Sequence, residues 1–124
     1  MIVDRPPGPS PVVPEPIHHR RTSWSRDPFA LGSYSSLAPH PLGTSVRTRL
    51  AAPVGTRLHF AGEATSAEAP ATTAGALLSG RRAAEEILRT ARRGQSVTVV
   101  GAGFAGLGCA RVLADAGLEV TVLE

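Results

Sequence analysis

An α/β fold with a parallel sheet is predicted by three features of the sequence. Two β-branched runs, Ser96-Val97-Thr98-Val99-Val100 and Glu119-Val120-Thr121-Val122-Leu123-Glu124, flank a stretch whose apolar residues recur at helical spacing. Glycines stand where elements should change direction, at Gly62, Gly94 and Gly117. The order over residues 54–124 reads strand, helix, strand, helix, strand (βαβαβ), and such crossovers join parallel strands.

Taken in order, Arg57-Leu58-His59-Phe60-Ala61 is a short alternating-to-apolar run ending at Gly62, which predicts a first strand. Thr72 or Thr73 can cap a helix running to about Arg92, with Leu77, Ala84, Ile87, Leu88 and Ala91 on its inner face. Arg81–Glu85 and Glu85–Arg89 are i,i+4 pairs on the outer side, worth about 0.3 kcal/mol each. Gly75 and Gly80 interrupt this helix, each at a cost of about 1 kcal/mol relative to alanine. That cost fits either a close backbone approach or plain permissiveness. Gly94 ends the element, and Ser96–Val100 follows as a buried parallel strand. A helix from Phe104 to about Ala116 carries Leu107, Ala110, Leu113 and Ala114 on one side, and Gly117 stops it before the last strand.

The amino-terminal part differs. Ten of the 11 prolines lie in residues 1–53. Residues 1–22 predict a disordered, proline-rich arm in which His18 and His19 are solvent-exposed and too few to hold a metal. Residues 23–53, from Trp24 on, predict an irregular loop segment, and residues 54–124 the folded unit.

Composition narrows the function. At 124 residues the chain is long enough for one small domain. The single cysteine, Cys109, excludes an internal disulfide and suits a reducing compartment, where it serves as a small buried hydrophobe. All 13 basic residues are arginine, scattered as Arg20-Arg21, Arg81-Arg82 and Arg92-Arg93 with no aromatic platform among them, so a nucleic-acid binder is not expected. No apolar run approaches the roughly 18 residues of a membrane span, and the first residues lack the order of a secretory signal. The expectation is a cytoplasmic chain without membrane, metal or nucleic-acid partners.

The strongest chemical signal is Gly101-Ala102-Gly103-Phe104-Ala105-Gly106 between a strand and a helix. Gly101 permits the tight turn, Gly103 clears the space where a pyrophosphate comes close, and Gly106 lets the helix pack on the sheet. Free N–H groups and the helix dipole then face the anion. Glu124, 18 residues beyond Gly106, ends the second strand, where an acid accepts hydrogen bonds from adenosine ribose hydroxyls and repels a 2′-phosphate. Together these define a Rossmann-like dinucleotide site.

Three further segments bear on which dinucleotide. Trp24-Ser25-Arg26-Asp27-Pro28-Phe29-Ala30-Leu31-Gly32-Ser33-Tyr34-Ser35, Leu58-His59-Phe60-Ala61-Gly62-Glu63-Ala64-Thr65 and Gly75-Ala76-Leu77-Leu78-Ser79-Gly80-Arg81-Arg82-Ala83-Ala84 resemble the carboxy-terminal part of flavin-containing amine oxidases. That family includes monoamine and polyamine oxidases, amino-acid oxidases and lysine-specific histone demethylases. Val97–Glu124 resembles the amino-terminal FAD-binding segment of the same family. The order is inverted, since in the family the glycine turn precedes the Gly62-Glu63 motif by several hundred residues. The chain thus resembles a permuted FAD-binding remnant or a junction of tandem copies.

The resemblance implies non-covalent FAD, because Ser33 stands where some members carry a flavin-linking cysteine. It implies that Gly62 and Glu63 meet the FAD pyrophosphate and ribityl region. Thr72, Thr73 and Ala74, at the next helix start, would face the flavin O2 side. Tyr34 matches one wall of the aromatic pocket that guides an amine toward flavin N5. Thr72 stands at the opposite wall, and the family lysine near N5 has no counterpart in a chain without lysine. The implied chemistry of a complete relative is amine oxidation by hydride transfer to flavin N5. Two helices over one face of a three-stranded half-sheet would leave sheet edges and a face open for self-association or a partner chain. The rival readings are a non-catalytic dinucleotide-binding module needing a partner chain, an NAD-linked dehydrogenase domain, and a gene fragment without selected function.

Overall fold

A computed structural model describes residues 14–37, 43 and 45–124. The first 13 residues of the proline-rich arm lie outside the described residues. Residues 14–22, with His18 and His19, are exposed and form no regular element.

The two β-branched runs form the sheet. β1 (Ser96–Val100) and β2 (Glu119–Leu123) pair in parallel, in register from Ser96↔Glu119 to Val100↔Leu123. Branched side chains fit the pleated surface better than they fit a helix, which favours this pairing. Helix α3 (Phe104–Asp115) makes the crossover, and Gly117 at φ +84° turns the chain back toward the sheet. Two hydrogen bonds, Gly94 N–H to Gly117 O (2.9 Å) and Glu119 N–H to Gln95 O (3.0 Å), bring the two strand entries together.

Helix α2 (Thr73–Leu88) starts where its cap dictates. The Thr72 hydroxyl accepts the Gly75 N–H at 2.9 Å and donates to Ala69 O at 2.8 Å. The buried face of α2 is made of small residues: Gly75, Ser79, Gly80, Ala83 and Ala84. A Cβ at Gly80 would lie 2.0 Å from the Ala105 carbonyl oxygen, and one at Gly75 1.8 Å from that of Ala69. Of the two meanings open for these glycines, close backbone approach is the one observed. The core lies between α2, α3 and the sheet. Leu113 and Ala84 are fully buried in it with Ala83, Cys109 and Leu118, and Ile87, Leu88, Ala91, Val97, Val112 and Val120 close it. Burial pushes the Cys109 thiol pKa up, as befits a packing residue.

Several expectations are corrected. The α/β parallel fold stands, but Arg57–Ala61 forms no strand, only an isolated Val54–Leu58 bridge, so the βαβαβ order lacks its first strand and the sheet has two strands among the described residues. The polar backbone groups here are taken by α2: Phe60 O accepts Arg82 Nη2 (2.8 Å) and Gly62 N–H donates to Ser79 Oγ (2.8 Å). α2 ends at Leu88 rather than near Arg92, because Thr90 and Ala91 N–H both return to Ile87 O and the chain turns toward Gly94. In α3, Leu107 and Ala114 are exposed while Gly108, Cys109, Ala110 and Leu113 are buried. The stripe rotates because α3 packs on α2 as well as on the sheet, with Gly108 against Leu77. Arg81–Glu85 and Glu85–Arg89 do not pair among the described residues; Arg82–Glu86 does, at 2.6 Å. β1 is half-exposed, since the helices cover one face only, and Val100 lies 84% exposed. Within the segment expected to be irregular, Trp24–Arg26 is a 3-10 turn and Ser45–Ala51 is a short helix, α1.

The contact at Gly80 yields a counter-intuitive test. In an exposed helix interior, glycine to alanine gains about 1 kcal/mol. In Gly80→Ala the added methyl must force α2 away from α3, a loss on the order of 2 kcal/mol. Urea unfolding should show a lowered midpoint with unchanged slope.

Candidate dinucleotide-binding site

The glycine elbow leaves β1 and enters α3 in the conformation its residues demand. Gly101 has φ +102°, a value that penalises any side chain, and its N–H donates to Leu123 O at 2.7 Å. A Cβ at Gly106 would lie 1.9 Å from Gly101 O, so only glycine lets the first turn of α3 fold onto the elbow. At Gly103 nothing lies within 4 Å of a Cβ position, so the space in front of it is open. Gly103 is the N-cap of α3. Its N–H and those of Phe104, Ala105 and Gly106 make no hydrogen bond among the described residues. Phe104 is 61% exposed beside them.

Glu124 reaches this elbow from the end of β2. Its Oε2 accepts the Ala102 N–H, leaving Oε1 without a protein donor among the described residues. The cleft next to the elbow has a volume of about 540 Å³, and Leu77 and Arg81 of α2 line it with Ala102, Gly103, Phe104 and Leu107. The donor set, the clearance at Gly103 and the spare acceptor at Glu124 fit the diphosphate and ribose of an adenine dinucleotide.

A second cluster forms around Glu63. Gly62 has φ +144° and opens a 3-10 turn, Glu63–Thr65. The Glu63 carboxylate accepts Ser35 N–H at Oε1 (2.8 Å), and Ser35 Oγ–H and Ala71 N–H at Oε2 (both 2.7 Å). One carboxylate thus joins the segment carrying Tyr34, the Gly62-Glu63 turn and the approach to α2. Burial pushes the Glu63 pKa up, but the Ser35 and Ala71 hydrogen bonds and the Arg47 charge outweigh it, leaving the group below its ordinary 4.5. Tyr34 itself is 70% exposed. Thr73 and Ala74, in the first turn of α2, are exposed as well.

The structure therefore gathers Gly101–Gly106 with Glu124, and Gly62 and Glu63 with the loop leading to Thr72. These two groups lie on different faces of α2. Ser79, Arg82 and Glu86 face the 59–65 segment, whereas Leu77 and Gly80 face α3.

Sequence reasoning missed four side chains. Arg47 on α1 is 6% exposed and donates through Nη1 to Ser35 Oγ (2.7 Å) and Ala64 O (3.1 Å). His59 Nδ1 meets Glu86 Oε2 at 3.2 Å, and Arg82 joins Glu86 Oε1, Phe60 O and Thr65 Oγ1. Burial raises the Glu86 pKa, and the His59 and Arg82 contacts more than reverse it. The signal available was the i,i+4 spacing of Arg82 and Glu86, one residue out of step with the pairs expected. Among the described residues no group of three His, Cys, Asp or Glu side chains could hold a metal, and no helix is long and apolar enough to cross a membrane.

The parallel strands, the glycine elbow and the helix it opens define a Rossmann-like dinucleotide-binding class. Residues 6–88 match the model of the flavin containing amine oxidoreductase family, and the chain belongs to that family. Residues 99–124 match the NAD(P)-binding Rossmann-like domain. Among curated proteins, it is 48% identical over 83 residues to lysine-specific histone demethylase 1 homolog 1 of Arabidopsis thaliana, covering 66% of this chain and 10% of that protein. It is 49% identical over 79 residues to histone demethylase-like protein A of Aspergillus fumigatus, covering 64% and 7%. With lysine-specific histone demethylase 1 homolog 2 of Oryza sativa subsp. japonica the identity is 50% over 82 residues, covering 65% and 11%. The chain spans about a tenth of the length of these relatives. No solved structure matches.

The Glu63 cluster sets a pH dependence. A carboxylate held below its unfolded pKa contributes stability that is present above that value and lost as pH falls through the folded one. Wild-type stability should therefore fall as pH drops below 4.5. In Glu63→Gln the urea midpoint should start lower at neutral pH and decline less steeply over that acid range.

Proposed function

We propose that this chain supplies the FAD-holding portion of a flavin-dependent amine oxidase, with FAD bound non-covalently. The observation that carries the reading is the elbow: four unpaired amide N–H groups at the start of α3, open space at Gly103, and an acceptor at Glu124. The amides would hold the diphosphate and Glu124 Oε1 the adenosine ribose. Glu63, Gly62 and the first turn of α2 at Thr72, Thr73 and Ala74 would serve the ribityl and flavin end, with Tyr34 flanking the amine. FAD, when bound, supplies the hydride acceptor at its flavin N5. The names of the histone demethylase relatives support a lysine side-chain amine as the substrate class of a complete enzyme containing this segment.

A specific observation favours a second reading, a dinucleotide-binding module that works against a partner chain. Among the described residues the sheet has two strands, and its outward face exposes Val100 and Leu123.

Titration with FAD, followed by quenching of flavin fluorescence, tests the first reading. FAD should bind more tightly than FMN, which lacks the adenylate, and more tightly than NADH. Gly103→Val places a side chain in the diphosphate space and should weaken FAD at least about tenfold. Purified protein that takes up no flavin when FAD is supplied, or that prefers NADH, overturns the proposal.

A further inference from the structure

We infer that Arg47 is a positioning residue for the flavin side of the site, orienting Glu63 through Ser35; this rests on the reading that the Gly62-Glu63 turn meets FAD. A buried guanidinium is costly unless its donors are used, and Arg47 is 6% exposed. It makes no direct ion pair with Glu63. Instead Nη1 donates to Ser35 Oγ (2.7 Å) and to Ala64 O (3.1 Å), the carbonyl directly after Glu63.

A hydroxyl that accepts from a cation has a lone pair occupied, and its own hydrogen must turn elsewhere. Ser35 Oγ turns it to Glu63 Oε2 at 2.7 Å. Charge-assisted bonds at both ends polarise this relay in one direction. With Ser35 N–H on Oε1 and Ala71 N–H on Oε2, three of the four acceptor directions of the carboxylate are filled. The plane of Glu63 is fixed, and the remaining Oε1 lone pair has one direction. A hydroxyl of the ribityl chain is the donor chemistry that suits it. The same relay docks the Tyr34 segment, since Ser35 follows Tyr34 directly. Because both Arg47 bonds leave a single nitrogen, a lysine ammonium with three donors can replace them, whereas a methionine of similar bulk cannot.

The test compares wild type, Arg47→Lys, Arg47→Met and Ser35→Ala in two measurements. The Glu63 side-chain carboxyl carbon is followed by NMR across acid pH. Its titration midpoint should rise in Arg47→Met and Ser35→Ala and stay near wild type in Arg47→Lys. FAD affinity should fall at least about fivefold in Arg47→Met and in Glu63→Gln, with the double variant no weaker than the weaker single one. Ser35→Ala calibrates the loss of the direct hydrogen bond to Glu63; should Arg47→Met fail to fold, Arg47→Gln, which keeps an amide donor but not the charge, takes its place with the same expected rise. An unchanged Glu63 midpoint in Arg47→Met, or fully additive losses of FAD affinity, overturns the inference. A wild-type chain that binds no FAD ends the proposed function, while the NMR measurement still decides the link from Arg47 to Glu63.

Discussion

At Gly80 the backbone of α2 rests on the backbone of α3, and the placement of the remaining elements follows from that contact. The approach is possible only because neither side chain nor Cβ intervenes, and it is extended by Gly108 under Leu77. It leaves α2 with two working faces. One closes the core through Ala84, Ile87 and Leu88; the other offers Ser79, Arg82 and Glu86 to the 59–65 segment. The elbow is held beside the first face and the Glu63 cluster on the second. A helix of bulkier residues would push both clusters away from a common scaffold, at a cost set by packing rather than by any local propensity.

How much of this was legible depended on how local the physical demand was. The elbow was readable because each glycine answers a requirement of its own backbone: a positive φ at Gly101, clearance at Gly103 and contact at Gly106. The two paired strands were readable because their branched side chains act over five residues. Thr72 was readable as a cap because the hydroxyl and the Gly75 N–H are three residues apart. The run at Arg57–Ala61 misled because its fate is decided far along the chain, by Ser79 and Arg82, which claim the groups a ladder would need. Arg47 gave no warning at all. Its burial depends on Ser35 and Ala64, neither of which marks an arginine as interior.

The same distinction applies to charge. Pairs expected from helical spacing alone, Arg81–Glu85 and Glu85–Arg89, did not form, and the neighbouring pair Arg82–Glu86 did. An exposed i,i+4 pair is worth little, so its partners choose by what else they can reach. Arg82 reaches Phe60 O and Thr65 Oγ1, and Glu86 reaches His59. The second face of α2 is thus polar and directional where the first is apolar, which suits a surface that must hold an irregular loop in one pose.

The placement of the apolar core has a kinetic consequence. α2, β1, α3 and β2 follow one another within residues 73–123, joined by short turns at 89–95, 101–103 and 116–118. The core contacts close loops comparable in length to those that tie on the amino-terminal segment, since the β1–β2 register spans 23 residues and the Gly80–Ala105 contact 25, so loop-closure entropy is similar for both. What sets the order is apolar burial, and the buried cluster of Ala83, Ala84, Cys109, Leu113 and Leu118 lies wholly in this carboxy-terminal half. The amino-terminal segment, tied on by Glu63 and Arg47 across 28 and 17 residues, has a template to dock against only after that half exists.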